Sequence, residues 1–269
     1  MIATMYKRRM KAAFALSSIV MLIGISVFFI DRPDSLQNWL NLSSIGIVGL
    51  FLFFTGVSNQ MKYNKVKDIQ IRESKASLLE LDHLVLKKDL GFFPRLLLFE
   101  KSGHFVGTIK PIRIPFIFYP MSLLLRDSLI MALPITYGVF SNKGNVLFTF
   151  KRKGMKKSIV TVKDVHGRKL GEYVQEDWKS LVNIKGELRD ADDKLILPVK
   201  VKAFSGDFTL TDSEGRQWAR FYNGYFPHEY TNIFRDVYND IVELSDNLSK
   251  HHKMLLIAMI GFLFLQRNQ

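Results

Sequence analysis

The residues with the most chemical potential form a basic run at 151–157, KRKGMKK, in which Lys151, Arg152, Lys153, Lys156 and Lys157 surround Gly154. The run lies between two β-prone stretches, LFTF and SIVTV, so the pattern predicts a basic hairpin tip. Five positive charges on one projecting loop attract an anionic leaflet by about 1 kcal/mol per residue near the surface. The plainer reading is a solubilising turn in a basic chain. Asp190, Asp192 and Asp193 spell DADD and raise calcium as a ligand. A calcium loop continues with Gly and closes with Glu, whereas KLIL follows here, so a solvated turn is expected. His83, His104, His166 and His228 are scattered, and His251–His252 are neighbours that point about 100° apart on a helix and do not easily share an ion. Phe221, Tyr222, Tyr225, Phe226 and Tyr230 cluster in FYNGYFPHEY, as a core plug or a ligand mouth. GxSxG, HExxH, GxxxxGK[ST] and GxGxxG motifs are absent. With no cysteine there is no disulfide, thiolate zinc site, iron–sulfur cluster or thiol nucleophile. The expectation is a non-enzymatic chain with no catalytic residue, metal or cofactor.

The chain that positions these groups has 269 residues, with 38 Lys+Arg against 25 Asp+Glu and a net charge of +13. That excess favours anionic partners, phospholipid headgroups or nucleic acid. Its apolar residues are uneven. Residues 12–30 carry no charge, and nineteen helical residues cover about 28 Å, close to the hydrocarbon thickness of a bilayer. A second uncharged stretch runs from Ser35 to Met61, with a span placed at about 42–60. Pro33 breaks the helix between them, and Trp39 suits a headgroup level. A cleaved signal peptide is the rival for the first span, but its apolar run is long and no A-x-A-like site follows. Lys7, Arg8, Arg9 and Lys11 precede the first span, and Lys62, Lys65 and Lys67 follow the second. The positive-inside rule therefore puts both ends of this hairpin in the cytoplasm. The expected organisation is a transmembrane hairpin at 1–61, a helical linker at 62–80 and a cytoplasmic domain at 81–269, held at the plasma or cell membrane. A tethered domain without a recognition element disfavours nucleic acid as partner.

From Leu81 the texture becomes short β-prone runs punctuated by polar bends at Gly103, Gly144, Gly167, Asp193 and Gly215. Gly supplies the positive φ that such hairpin bends require, and Asp tolerates it. From Gly144 the bends recur at intervals of 23, 26 and 22 residues, one hairpin per repeat, which predicts an antiparallel all-β sheet or barrel of about ten strands. Residues 114–136 are apolar but carry Pro115, Pro120 and Pro134 with the Arg126–Asp127 pair, which argues against a third span. An amphipathic helix on the membrane and a helix packed across a barrel mouth both fit. From Tyr230 onward, Ile233, Val237, Ile241 and Leu244 have helical spacing, and Ser245 or Asp246 is the expected cap of a following helix. Residues 254–265, MLLIAMIGFLFL, are apolar on every side and too short to span, which fits burial in protein; a partial membrane segment is the alternative.

The bends and the LSKHHKMLLIAMIGFLFL ending together resemble the tubby C-terminal-like superfamily, which includes the phospholipid scramblases. The resemblance covers roughly Leu81 to Gln269 and is one of pattern. It implies a closed antiparallel barrel of twelve strands around a central, hydrophobic, C-terminal helix. The calcium-responsive acidic loop of scramblases has no residue-by-residue counterpart in the DADD segment. The leading functional expectation is a membrane-tethered domain that binds or senses anionic phospholipid, or another membrane component, through Lys151, Arg152, Lys153, Lys156 and Lys157. Scramblase-like lipid translocation and a membrane-placed adaptor for a protein partner are the alternatives.

Overall fold

The computed structural model describes residues 1–89, 91, 93–116, 118, 133–154, 157–176, 183–202, 207–224, 226 and 231–266. The chain divides into two compact units, Met1–Gln70 and Ile71–Gln269. The first consists of two helices, α1 (Ile2–Ile30) and α2 (Leu36–Val66), both long and apolar enough to cross a membrane. Ser35 caps α2 by accepting from the Asn38 N–H at 3.3 Å. The helices approach closely where side chains are small. A Cβ at Gly49 would stand 2.8 Å from the Met21 sulfur, and one at Gly56 would stand 2.7 Å from the Phe14 ring. Beside them Ser17 Oγ donates to the Gly49 carbonyl at 2.8 Å. The linker at 62–80 is only partly helical: α2 ends at Val66, and beyond it the Arg72 carbonyl and the Ser74 N–H both bond Phe105.

The second unit is a nearly closed antiparallel barrel of twelve strands among the described residues. They are β1 (His83–Asp89), β2 (Arg95–Phe99), β3 (Phe105–Arg113), β4 (Thr136–Ser141), β5 (Val146–Lys153), β6 (Lys157–Lys163), β7 (Lys169–Glu176), β8 (Asn183–Asp190), β9 (Leu195–Lys202), β10 (Asp207–Thr211), β11 (Gln217–Gly224) and β12 (Asn239–Leu244). Strands β1 to β9 pair in sequence order, β12 lies between β1 and β11, and β10 and β9 are the two outer strands. The helix expected from Tyr230 onward is corrected by β12. Its Ile241 and Val242 fill a gap between Val85 and Leu84 on one side and Tyr222 and Phe221 on the other, and pairing on both edges overrides the helical spacing.

Strand alternation gives the barrel its apolar inner layer. Phe148 and Phe150 of β5, Val160 and Val162 of β6, Tyr173 of β7, Leu188 of β8, and Leu197 and Val199 of β9 are all buried in one core. That core also contains the last helix, α3 (Lys250–Gln266), in which Leu255 to Leu265 are buried without interruption. Ser249 caps it, its Oγ accepting from the His252 N–H at 3.2 Å, in place of the expected Ser245 or Asp246. α3 meets strands from several parts of the sheet. Phe262 packs on Tyr173 of β7, Phe264 on Phe221 of β11, and a Cβ at Gly261 would stand 2.6 Å from Ile109 of β3.

Five tight turns join strand pairs with one geometry. In each, the first residue donates to the carbonyl of the fifth, and the fourth donates back to the carbonyl of the first; the spans are Glu100–His104, Ser141–Asn145, Asp164–Arg168, Asp190–Lys194 and Asp212–Arg216. The fourth residue has positive φ in all five: Gly103, Gly144, Gly167, Asp193 and Gly215, the positions the sequence marks as bends. Where Asp comes first, its carboxylate accepts two backbone N–H groups. Asp212 Oδ1 takes those of Glu214 and Arg216 at 2.9 Å, while Oδ2 takes Arg216 Nε at 2.8 Å and Trp218 Nε1 at 3.1 Å. Desolvation raises the Asp212 pKa, but the bonds from Arg216, Trp218 and Glu214 outweigh it and hold the carboxyl at about 2.

Two predictions follow from the core and the turns. Ile260→Asp in α3 is expected to destabilise the barrel by several kcal/mol through an unpaired buried charge, and Leu256→Ala by about 2–5 kcal/mol through a cavity. Denaturant unfolding of the detergent-solubilised chain, followed by near-ultraviolet circular dichroism, measures both; unchanged midpoints would remove α3 from the core. The lowered Asp212 pKa contributes stability that is present above the usual carboxylate range and is lost as pH falls toward 2. Asp212→Asn should therefore flatten the stability-versus-pH curve between about pH 4 and 2, and a slope identical to wild type would exclude this role.

Candidate functional site

Antiparallel order sorts the connections of the barrel into two ends. The five tight turns and the β12–α3 link lie at one end, called here the turn end. The loops after β1, β3, β5, β7, β9 and β11 lie at the other, called the rim. α3 starts at the turn end, where Trp218 stacks on His252 with ring centroids 4.7 Å apart. Its last turn reaches the rim, where Lys88 Nζ donates to the Leu265 carbonyl at 3.1 Å. The chemistry-bearing residues also divide between the ends. Asp190, Asp192 and Asp193 are spent on a turn: Asp190 Oδ1 accepts from Asp192 and Lys194 N–H groups, and Asp193 accepts from Lys169 Nζ at 2.9 Å. His104 bonds Glu100 within its turn, and the His166 N–H donates to Asp164. Burial first, and the neighbouring His251 second, hold the His252 pKa below its ordinary value, so the ring packs in neutral form against Trp218.

The basic run is a rim feature. β5 and β6 pair up to Lys153↔Ile159, and Gly154 turns the chain with φ of 90°. Its side chains do not form one patch. Phe148, Phe150 and Arg152 share a face, so Arg152 points toward the core side; it is 8% exposed, and its Nε donates to Ser158 Oγ at 2.5 Å. Lys153 and Lys157 are exposed and Lys151 is half-buried on the outer face, while Lys156 lies outside the described residues. Among its described residues the run thus carries Lys151, Lys153 and Lys157 on the outer face and Arg152 turned inward.

Other rim residues were not singled out by composition. Lys88 shares the inward face of Leu84 and Leu86, a parity already present in LVLKKD, and caps the end of α3. On the outer face of β1, Lys87 reaches Asp236 at 2.8 Å and Asn239, and Asp89 takes the Arg95 guanidinium at 2.5 Å. The aromatic cluster is split. Phe221 packs inward on Phe264, Phe226 packs on Phe234, and Tyr222 stands on the outer face over Arg220; Tyr225 and Tyr230 lie outside the described residues. Most of 114–136 also lies outside them. Of its described part, Phe116 is exposed and Ile135 is buried in the core. Among the described residues no three His, Asp or Glu side chains converge as metal ligands.

The two faces of the basic hairpin generate a contrast in stability. Arg152→Ala should destabilise the barrel by about 1–3 kcal/mol by leaving buried Ser158 without this partner, whereas Lys153→Ala should change stability by less than about 0.5 kcal/mol. Equal midpoints for the two variants in denaturant would contradict the inward placement of Arg152. No protein-family model, curated protein or solved structure matches the chain.

Proposed function

We propose that this chain is a membrane-tethered lipid-binding protein: a tubby-like barrel with α3 running through its lumen, carried on a transmembrane helical hairpin, that binds anionic phospholipid at the cytoplasmic face of the cell membrane. The observation that carries the reading is the outer lip of the β5–β6 hairpin, where Lys153 and Lys157 are exposed beside Lys151 at the end of the barrel opposite the five tight turns. Each lysine near an anionic leaflet contributes about 1 kcal/mol, and tethering raises the effective concentration of lipid so that weak contacts suffice. Lys7, Arg8, Arg9 and Lys11 at the start of α1, and Lys62, Lys65 and Lys67 at and just beyond the end of α2, support the cytoplasmic orientation. Scramblase-like translocation has less support, because the groove between α1 and α2 is lined by Met21, Gly24, Ile25, Phe28, Leu42 and Ile45, with no polar path for a headgroup.

The test uses the full chain in phosphatidylcholine nanodiscs, mixed with vesicles of phosphatidylcholine with or without phosphatidylserine. Binding is expected only to the anionic vesicles and should weaken between low and physiological salt, where screening shortens to about 8 Å. Replacing Lys151, Lys153, Lys156 and Lys157 by Gln should abolish most of it while leaving the unfolding midpoint within about 0.5 kcal/mol per residue. Wild-type binding that ignores both salt and lipid charge would remove the lipid reading and favour a protein-partner adaptor.

A further inference from the structure

Beyond the hairpin tip, the register of the sheet brings together two cations that lie far apart in the run of the sequence. Lys185 of β8 and Lys200 of β9 stand directly opposite one another, and both are exposed. Like charges facing each other across a strand pair are unfavourable for the sheet. The nearest acid on β8, Glu187, is engaged by Arg189 at 2.6 Å and does not offset them. Several other cations of the barrel wall have acidic partners: Arg168 with Asp164, Lys169 with Glu172 and Asp193, Arg216 with Asp212 and Glu214, Arg220 with Asp207. The lysine pair is therefore a local electrostatic cost to the sheet. It also lies on the rim half of its strands, like Lys151, Lys153 and Lys157 on β5 and β6, two strands round the wall.

We propose that the outer wall from β5 to β9, next to the rim, is a docking surface for an anionic bilayer, with Lys185 and Lys200 extending the contact begun by Lys151, Lys153 and Lys157. This rests on the lipid reading above and assigns it a face: the barrel lies side-on against the headgroups instead of touching them with one loop. Charge complementarity selects the occupant. A row of lysines from four strands, β5, β6, β8 and β9, suits a laterally extended array of anionic headgroups, and ammonium groups recognise it as point charges without fixed geometry.

The lysine pair makes the test sharp, because binding and stability are expected to move in opposite directions. In the nanodisc assay, Lys185→Gln with Lys200→Gln should weaken binding to phosphatidylserine vesicles by roughly 25-fold, about five-fold per lysine, and make it less sensitive to salt. The same variant should unfold at an equal or higher temperature than wild type, since the cross-strand repulsion is gone. Lys143→Gln with Lys163→Gln removes the same charge from exposed positions at the turn end and is the control, expected to retain nearly wild-type binding. Unchanged binding of the Lys185/Lys200 variant, or equal losses in both double variants, would overturn the wall. If the hairpin variant loses binding while the Lys185/Lys200 variant keeps it, the lipid reading stands and the wall alone fails; wild type that binds no anionic vesicle removes both.

Discussion

A helix that carries Leu, Ile, Met and Phe on all sides has no face to give to water, and its environment must be apolar through a full turn. Residues 255–265 of α3 meet that demand by burial in the same core as the inward residues of the strands. The demand runs both ways. Tyr173 and Phe221 of the sheet pack on Phe262 and Phe264 of the helix, so sheet and helix each cover apolar surface of the other. Small residues appear where the two come together: Gly261 faces Ile109, and Gly171 faces Leu255. Cores of this kind tolerate little change in volume.

Because α3 enters at the turn end and finishes at the rim, the two ends of the barrel have different tasks. The turn end is closed by short turns whose carboxylates are consumed by backbone N–H groups and by their own Arg or Lys neighbours. The rim holds the buried polar groups Lys88, Asp89, Arg152, Ser158, Gln175 and Asn239, and the two longest connections, after β3 and β11. Buried polar groups of this kind are costly unless satisfied, and they fix side chains and loops in defined positions.

The turns were legible in the sequence because positive φ restricts residue type, so Gly103, Gly144, Gly167, Asp193 and Gly215 announce themselves without any knowledge of the fold. The two long apolar helices were legible for a similar reason, uninterrupted apolar composition. β12 was not. Ile233, Val237, Ile241 and Leu244 fit a helical period, and only the open edges of β1 and β11, absent from any local window, turn 239–244 into a strand. Arg152 was legible in principle, since Phe148, Phe150 and Arg152 share parity, but counting charges hides which face each one takes. The Lys185–Lys200 pair depends on the register of β8 against β9, which neither strand records by itself.

Placing β12 beside β1 also governs how the barrel can assemble. His83 and Glu243, partners in that ladder, are 160 positions apart (243 − 83). Eleven strands can be made before the strand that joins the two arms of the sheet exists, and the helix that shares their core emerges later still. Loop-closure entropy over such a distance makes this pairing slow relative to the local hairpins around it. During synthesis the growing chain therefore presents unpaired strand edges and an unfilled apolar interior until its final elements leave the ribosome. Such a nascent species is prone to aggregation and depends on being shielded until the last helix arrives.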